Sequence, residues 1–302
     1  MSASAPAKPG LAGLLTLLLV AFMMGANHVA ARVAFNHGVD VVTAVCVRSG
    51  VTALVLWVIL RQAQVRLAAS PRQRRFLILM GVLIALQSYC LYSSVSRLPV
   101  ALALLVFNTY PISTAICARL LYGHRTERTV LLAMPVMLIG LALALDVSGA
   151  TSGLGVAGQW QQMGAGVLYA LGASFSFGLV LVWTQHEAAA LDGRFRSFTT
   201  MAQVGVITAL AALLGDGFHL PQAAAGWWGL GLLTFLYGTA FTILFVVLPR
   251  MGVVGSSPIM NVEPVFALIL AWALLGQAIA PLQLVGAALV VGTVTVLGLR
   301  RR

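Results

Sequence analysis

Acidic residues are nearly absent from this chain: seven of 302, against eighteen Lys and Arg, so only 8% of residues carry a charge. A soluble domain carries about 25%. With 60% of residues hydrophobic and a mean hydropathy of +0.99, water cannot be the solvent for most of this surface. Cysteine is scarce too. Cys46, Cys90 and Cys117 fall inside apolar stretches without metal-ligand spacing, which argues against a disulfide framework or thiolate metal site and leaves them as small apolar residues. The sequence lacks a Gly-rich loop ending in Lys-Ser or Lys-Thr, which argues against an ATP-driven pump. It also lacks a nucleophile elbow and paired carboxylates, so no enzyme, metal or cofactor is expected. A net charge of +11 would suggest nucleic acid in a soluble protein. Here the basic residues stand in short runs between apolar stretches, the pattern of membrane topology, and no nucleic-acid partner is expected.

What fills the chain instead is apolar runs. A helix needs roughly 20 apolar residues to cross the hydrocarbon core. Ten candidates stand at about 11–35, 40–60, 76–96, 99–121, 130–147, 161–184, 197–214, 226–248, 254–275 and 281–299. Continuous runs without alternation favour helices over a barrel. If the N-terminus is cytoplasmic, fifteen of the eighteen basic residues fall on the inner side: all but Arg32, Arg48 and Arg97. That bias predicts both termini inside. The first run is read as an uncleaved span rather than a signal peptide. Trp57, Trp160, Trp227 and Trp228 near span ends read as an interface belt.

The second half repeats the first at an offset of 153 residues. Gly25 matches Gly178, Arg97 matches Arg250, Asn108 matches Asn261, Pro111 matches Pro264 and Gly123 matches Gly276. The expected domains are 1–148 and 149–302, each a five-helix repeat. An odd span count makes the repeats enter the membrane in opposite senses, the arrangement of secondary transporters with a midplane site. The fold class expected is therefore an all-α membrane protein of ten transmembrane helices in two inverted five-helix repeats. The stretch Ser148–Gln159 reads as a flexible linker. Its Gly153-x-Gly155-x-x-Gly158 lacks the preceding strand that a dinucleotide site requires.

The run Asn261-Val-Glu263-Pro264-Val-Phe, then Leu274-Leu275-Gly276 and Gln283-Leu-Val-Gly286, resembles the second repeat of EamA-type carriers of the drug/metabolite transporter superfamily. Asn108-Thr-Tyr110-Pro111 and Leu121-Tyr-Gly123 are the first-half equivalents. The resemblance covers roughly 15–299 and implies export of small metabolites, amino acids or drugs through the inner membrane of a bacterium. One departure is visible: that family usually has Glu after the Gly ending the fourth span of each repeat, where His124 and Gln277 stand here.

Glu263 is the sole acid deep in a span, and an intramembrane carboxylate costs at least ~2.5 kcal/mol, so it should be paired, protonated or functional, with Arg48 as the expected partner. Pro111 and Pro264 free the carbonyls of Phe107 and Met260, which Asn108 and Asn261 could satisfy, and act as hinges. On a regular helix Asn108 and Tyr110, or Asn261 and Glu263, cannot share a face. Asn27 and His28 interrupt span one. Gln87 and Tyr89 join Ser88 and Tyr92 in span three; Tyr169, Ser176 and Trp183 belong to span six; Tyr237 is in span eight. The expected substrate-binding set is thus Asn27, His28, Gln87, Tyr89, Asn108, Tyr169, Ser176, Trp183, Tyr237, Asn261 and Glu263. Gly123, Gly140, Gly276, Gly286 and Gly292 are expected to permit close helix approach, and spans five and ten to buttress the bundle.

These residues point to a monomeric, lipid-embedded secondary transporter in the inner membrane. It would export small amphipathic molecules, amino acids including aromatic ones. Two alternatives stay open: an exporter of lipophilic cations and a non-transport scaffold.

Overall fold

The computed structural model describes residues 11–65, 68–124, 128–148, 153–244, 262–277 and 280–300, and all regular structure among them is helical. The helices are α1 (Leu11–Asn36), α2 (Val41–Gln62), α3 (Pro71–Val95), α4 (Val100–Phe107), α5 (Tyr110–Tyr122), α6 (Arg128–Ala144), α7 (Gly155–His186), α8 (Gly193–Leu214), α9 (Ala224–Thr242), α10 (Glu263–Leu275) and α11 (Pro281–Arg300). Six are long and apolar enough to cross a membrane, counting α4 and α5 together. Their outward faces carry exposed Leu, Ile, Val and Trp, a continuous apolar surface that suits lipid.

Local chemistry moves several boundaries from those expected. α3 starts at Pro71 because Ser70 and Gln73 form a reciprocal capping box around a first-turn proline, which draws Arg72, Arg74 and Arg75 into the helix. The stretch 148–159 is not all linker. Gly153 and Gly155, at φ +74° and +68°, turn the chain, and α7 begins at Gly155. Gln159 Nε2 then donates to the Leu145 carbonyl at 2.9 Å and ties α7 to the end of α6. Gly123 and Gly276 are not packing glycines. Each ends its helix in the left-handed conformation, at φ +67° and +64°, with open space around it. Gly292 likewise has open space beside it, whereas Gly140 and Gly286 do bring α6 and α11 into contact.

The two halves pack by exchange. α2 lies against α8 and α6 against α11, each with its own counterpart; α1 packs on α9 as α7 packs on α3, and α1 on α10 as α7 on α5. The register is shared to the residue. A Cβ on Gly25 would meet Phe266 Cβ at 3.3 Å and the Ala267 nitrogen at 3.0 Å. A Cβ on Gly178 would meet Ser113 Cβ at 2.9 Å and the Thr114 nitrogen at 2.8 Å. Both pairs of partners stand 153 positions apart, so one contact is built twice.

Equivalent helices also point to opposite ends of the bundle. α5 ends where the α2–α3 and α7–α8 turns meet: Arg72 holds Glu187 at 2.7 and 2.8 Å, Tyr122 donates to Glu187 at 2.9 Å, and His124 meets His186 at 3.0 Å. α10 ends at the other pole, where Gln277 accepts from the Val100 nitrogen at 3.0 Å. At that pole the His219 nitrogen donates to Thr43 and the Gln222 nitrogen to the His37 carbonyl, both at 3.0 Å. α4 is buried along almost its whole length and forms the centre of the largest apolar cluster.

Candidate functional site

Between the halves lies a cavity of about 290 Å³, lined by α1, α2, α3, the α4–α5 break, α7, α8, α9 and Glu263 at the head of α10. α6 and α11 lie outside it, packed on each other. The lining reaches Thr184 and Arg196, one turn from the α7–α8 connection. Toward the opposite pole it stops at His28, Arg48 and Tyr92. The cavity thus extends toward the pole that holds Arg72, Arg74 and Arg75.

Its floor is a polar cluster. Arg48, 3% exposed, donates through Nη2 to Ser88 Oγ at 2.8 Å and through Nη1 to the Tyr92 hydroxyl at 3.3 Å. Tyr92 in turn donates to Asn27 Oδ1 at 2.9 Å. The guanidinium lies over the rings of Tyr237 and Tyr92, 3.9 and 4.6 Å from their centroids. Such cation–π contacts are worth about 2 kcal/mol or more when desolvated. Glu263 faces His28, with Oε1 and Nε2 3.3 Å apart. The expected partner Arg48 is not within ion-pair range of it. Arg48 sits on α2 between Ser88 and the two tyrosines, whereas His28 is one helix contact from α10, where Gly25 lets α1 approach the Glu263 backbone.

Helix periodicity decides which expected residues reach the cavity. His28, Gln87, Asn108, Tyr237 and Glu263 line it. Asn27 stands one layer behind and orients Tyr92. Tyr89 and Tyr169 meet edge to face near the far pole, where Arg97 lies 4.8 Å from the Tyr169 ring, outside the cavity. Ser176 is buried off the lining, and Trp183 packs against Phe76 at 5.4 Å. Asn261 lies outside the described residues. Asn108 and Tyr110 both line the cavity, because the helix breaks between α4 and α5 at Asn108 and Thr109. Neither proline kinks a helix interior: Pro111 and Pro264 each fall in the first turn of a new helix, where the missing N–H costs nothing. The Asn108 amide donates to the Leu104 carbonyl at 2.8 Å rather than to Phe107.

The expected substrate-binding set left out Arg48, Ser88, Tyr92 and Tyr110, which were named in other roles, and Phe177, which was not named at all. The signal was the spacing: on α3 the lining positions are Met80, Ile84, Gln87, Ser88, Leu91 and Tyr92, a single helical face that leaves Tyr89 out. On α7 they are Phe177, Val180, Leu181 and Thr184, which leaves out Ser176 and Trp183 by the same rule.

The model of the EamA-like transporter family matches the sequence twice, over residues 11–145 and 164–299. No curated protein matches it. A solved crystal structure, described only as that of a protein, superposes with a TM-score of 0.60 at 17% identity over 96% of this chain and 99% of its own. That likeness concerns the fold alone.

Proposed function

The chain belongs to the EamA-like transporter family, a family of membrane carriers for small solutes, and from that premise and the cavity we propose that it exports small amphipathic metabolites across a bacterial inner membrane. Amino acids with apolar or aromatic side chains are the proposed class. The observation that carries this reading is the division of the cavity wall between the halves. Equivalent positions line it from both sides, yet His28, Arg48, Gln87 and Ser88 of the first half are Leu181, Met201, Ala240 and Phe241 in the second. At these four stations the first half offers charge and hydrogen bonds and the second offers apolar surface, while Arg196, Ser197 and Thr200 add polar groups toward the arginine-rich pole; polar and apolar patches side by side suit a solute with a polar head and an apolar body.

Alternating access follows from the same repeats. Thr184, Arg196 and Ser197 line the cavity, while their first-half equivalents Ala31, Thr43 and Ala44 are fully buried. Two halves with opposite direction can exchange these conformations, which closes the arginine-rich pole and opens the other. The basic bias makes the arginine-rich pole cytoplasmic, so both termini are inside and the state described is inward-facing. Lipophilic-cation export has Glu263 and the aromatic lining in its favour. Against it, the Arg48 guanidinium already covers the Tyr92 and Tyr237 rings.

Counterflow in proteoliposomes loaded with unlabelled amino acids, without an ion gradient, tests the reading. Label should accumulate with some amino acids and not others. Uptake that does not saturate would mean a channel, and no accumulation with any amino acid, by protein shown to be folded, would exclude this substrate class. Alternating access is tested by a cysteine at Thr43: its reaction with a membrane-impermeant thiol reagent from outside should rise under turnover, and constant shielding would refute the exchange.

A further inference from the structure

We propose that Arg48 is the docking point for a carboxylate of the transported solute, a deeper reading that rests on the carrier function proposed above. Arg48 is buried at the cavity floor, and burial of a cation is expensive unless it is paired. The chain has only seven acidic residues, and six are described. Asp40, Asp146 and Asp216 belong to the far pole, Glu187 and Asp192 to the α7–α8 turn, and Glu263 faces His28. Among the described residues no carboxylate lies within ion-pair distance of Arg48. The seventh, Glu127, lies outside the described residues.

Neutral groups hold the guanidinium instead: the Ser88 and Tyr92 hydroxyls, with aromatic faces above. A guanidinium has five N–H donors. Two are used by these hydroxyls, and the Nε–H has no partner among the described residues. The unspent charge and donors suit one monoanionic group, and the fork geometry of arginine suits a carboxylate. Around Arg48 the other half presents Met201, Ala240 and Phe241 together with Tyr237, whose hydroxyl lies 3.7 Å from Met201 Sδ, and no second cation for a dianionic phosphate stands among them. The apolar side chains suit an apolar body attached to the carboxylate. Because Glu263 is held by His28, an amine on the solute is not what Arg48 requires.

The test uses the full-length protein and matched compounds: phenylalanine, phenylpyruvate, phenylalanine methyl ester and phenethylamine, with the corresponding leucine series. Thermal stabilisation in detergent and counterflow are both read. The two free carboxylates of a series should bind about tenfold or more tighter than the ester and amine, the loss expected for one charge-assisted hydrogen-bonded contact. Arg48→Gln should erase that preference and Arg48→Lys keep part of it. An ester or amine bound as well as its acid by the wild type overturns the assignment, even if Arg48→Gln fails to fold. Folded Arg48→Gln that still prefers acids also overturns it. So does a complete lack of stabilisation by carboxylates; the carrier reading then survives if an amine or ester drives counterflow, and falls if none of the compounds does.

Discussion

The two halves of this protein have the same skeleton but present different side chains to the cavity at equivalent positions. Gly25 and Gly178 make one helix contact twice, Gly123 and Gly276 end equivalent helices with one left-handed turn, and Pro111 and Pro264 start equivalent helices. Yet the first half lines the cavity with His28, Arg48, Gln87 and Ser88 where the second has Leu181, Met201, Ala240 and Phe241, and the second brings Arg196, Ser197 and Glu263 to it where the first has Thr43, Ala44 and Tyr110. Packing constrains both copies alike, because both must fit against the other. The cavity wall is under no such restraint: a side chain that faces empty volume can change without disturbing its neighbours' contacts. Duplication therefore persists in the glycines, caps and prolines, and is lost where the solute would lie.

The comparison breaks most severely at the glycines. Gly25→Leu and Gly178→Leu should each abolish recovery of monodisperse folded protein in size-exclusion chromatography. Extra methylenes in a packed interior cost about 1–3 kcal/mol, and here the first added carbon already meets the backbone at 2.9 and 2.8 Å. Tolerance at one glycine and not the other would show that the halves do not share the contact. Next in size is a charge placed at an apolar cavity position. Met201→Arg puts a cation at the station equivalent to Arg48, where Ala240 and Phe241 stand in place of Gln87 and Ser88, at about 2.5–3.5 kcal/mol on insertion scales; its melting temperature should fall well below that of Met201→Leu.

A third comparison concerns Glu263 and Tyr110, which stand 153 positions apart and both line the cavity. If protons are coupled through the His28–Glu263 pair, Glu263→Gln should flatten the pH profile of counterflow. Tyr110→Phe should leave the shape of that profile unchanged. A Glu263→Gln variant with the wild-type profile removes the pair from any coupling role.

The smallest effect is at the arginine-rich pole. The hydrogen bond from Arg72 holds the Glu187 carboxyl below its usual pKa, and Tyr122 adds to this against the cost of burial. A depressed carboxyl pKa contributes stability above its unfolded value, about 4.3, and this is lost as pH falls through the folded value. Wild-type melting temperature should therefore decline more than that of Glu187→Gln as pH drops below about 4.3. Parallel curves would mean that Arg72, itself exposed, contributes nothing through this pair.

How much of this was legible differs from residue to residue. His28 and Glu263 stand out because polar groups inside an apolar run must have a reason, and the structure brings them together. Tyr89 and Tyr92 look alike in sequence, but Tyr92 stands at the edge of the cavity face of the helix and Tyr89, about 60° further round, passes that edge to the surface. Arg48 was visible as a buried cation, but its assignment to Glu263 relied on opposite charge alone. Opposite charge says nothing about which helices touch.

The sequence by itself determined the helical membrane character, the duplication and its register, because apolar length and a repeated glycine pattern follow from composition and spacing. It also determined that any acid inside a span would be exceptional, since seven acids in 302 residues leave few to spare. Only the tertiary structure decided that His28 rather than Arg48 meets Glu263, that a broken helix lets Asn108 and Tyr110 face one cavity, and which equivalent positions of the two halves line that cavity. Those outcomes depend on which helix faces lie opposite each other across the pseudo-twofold, a property of distant contacts that no local pattern encodes.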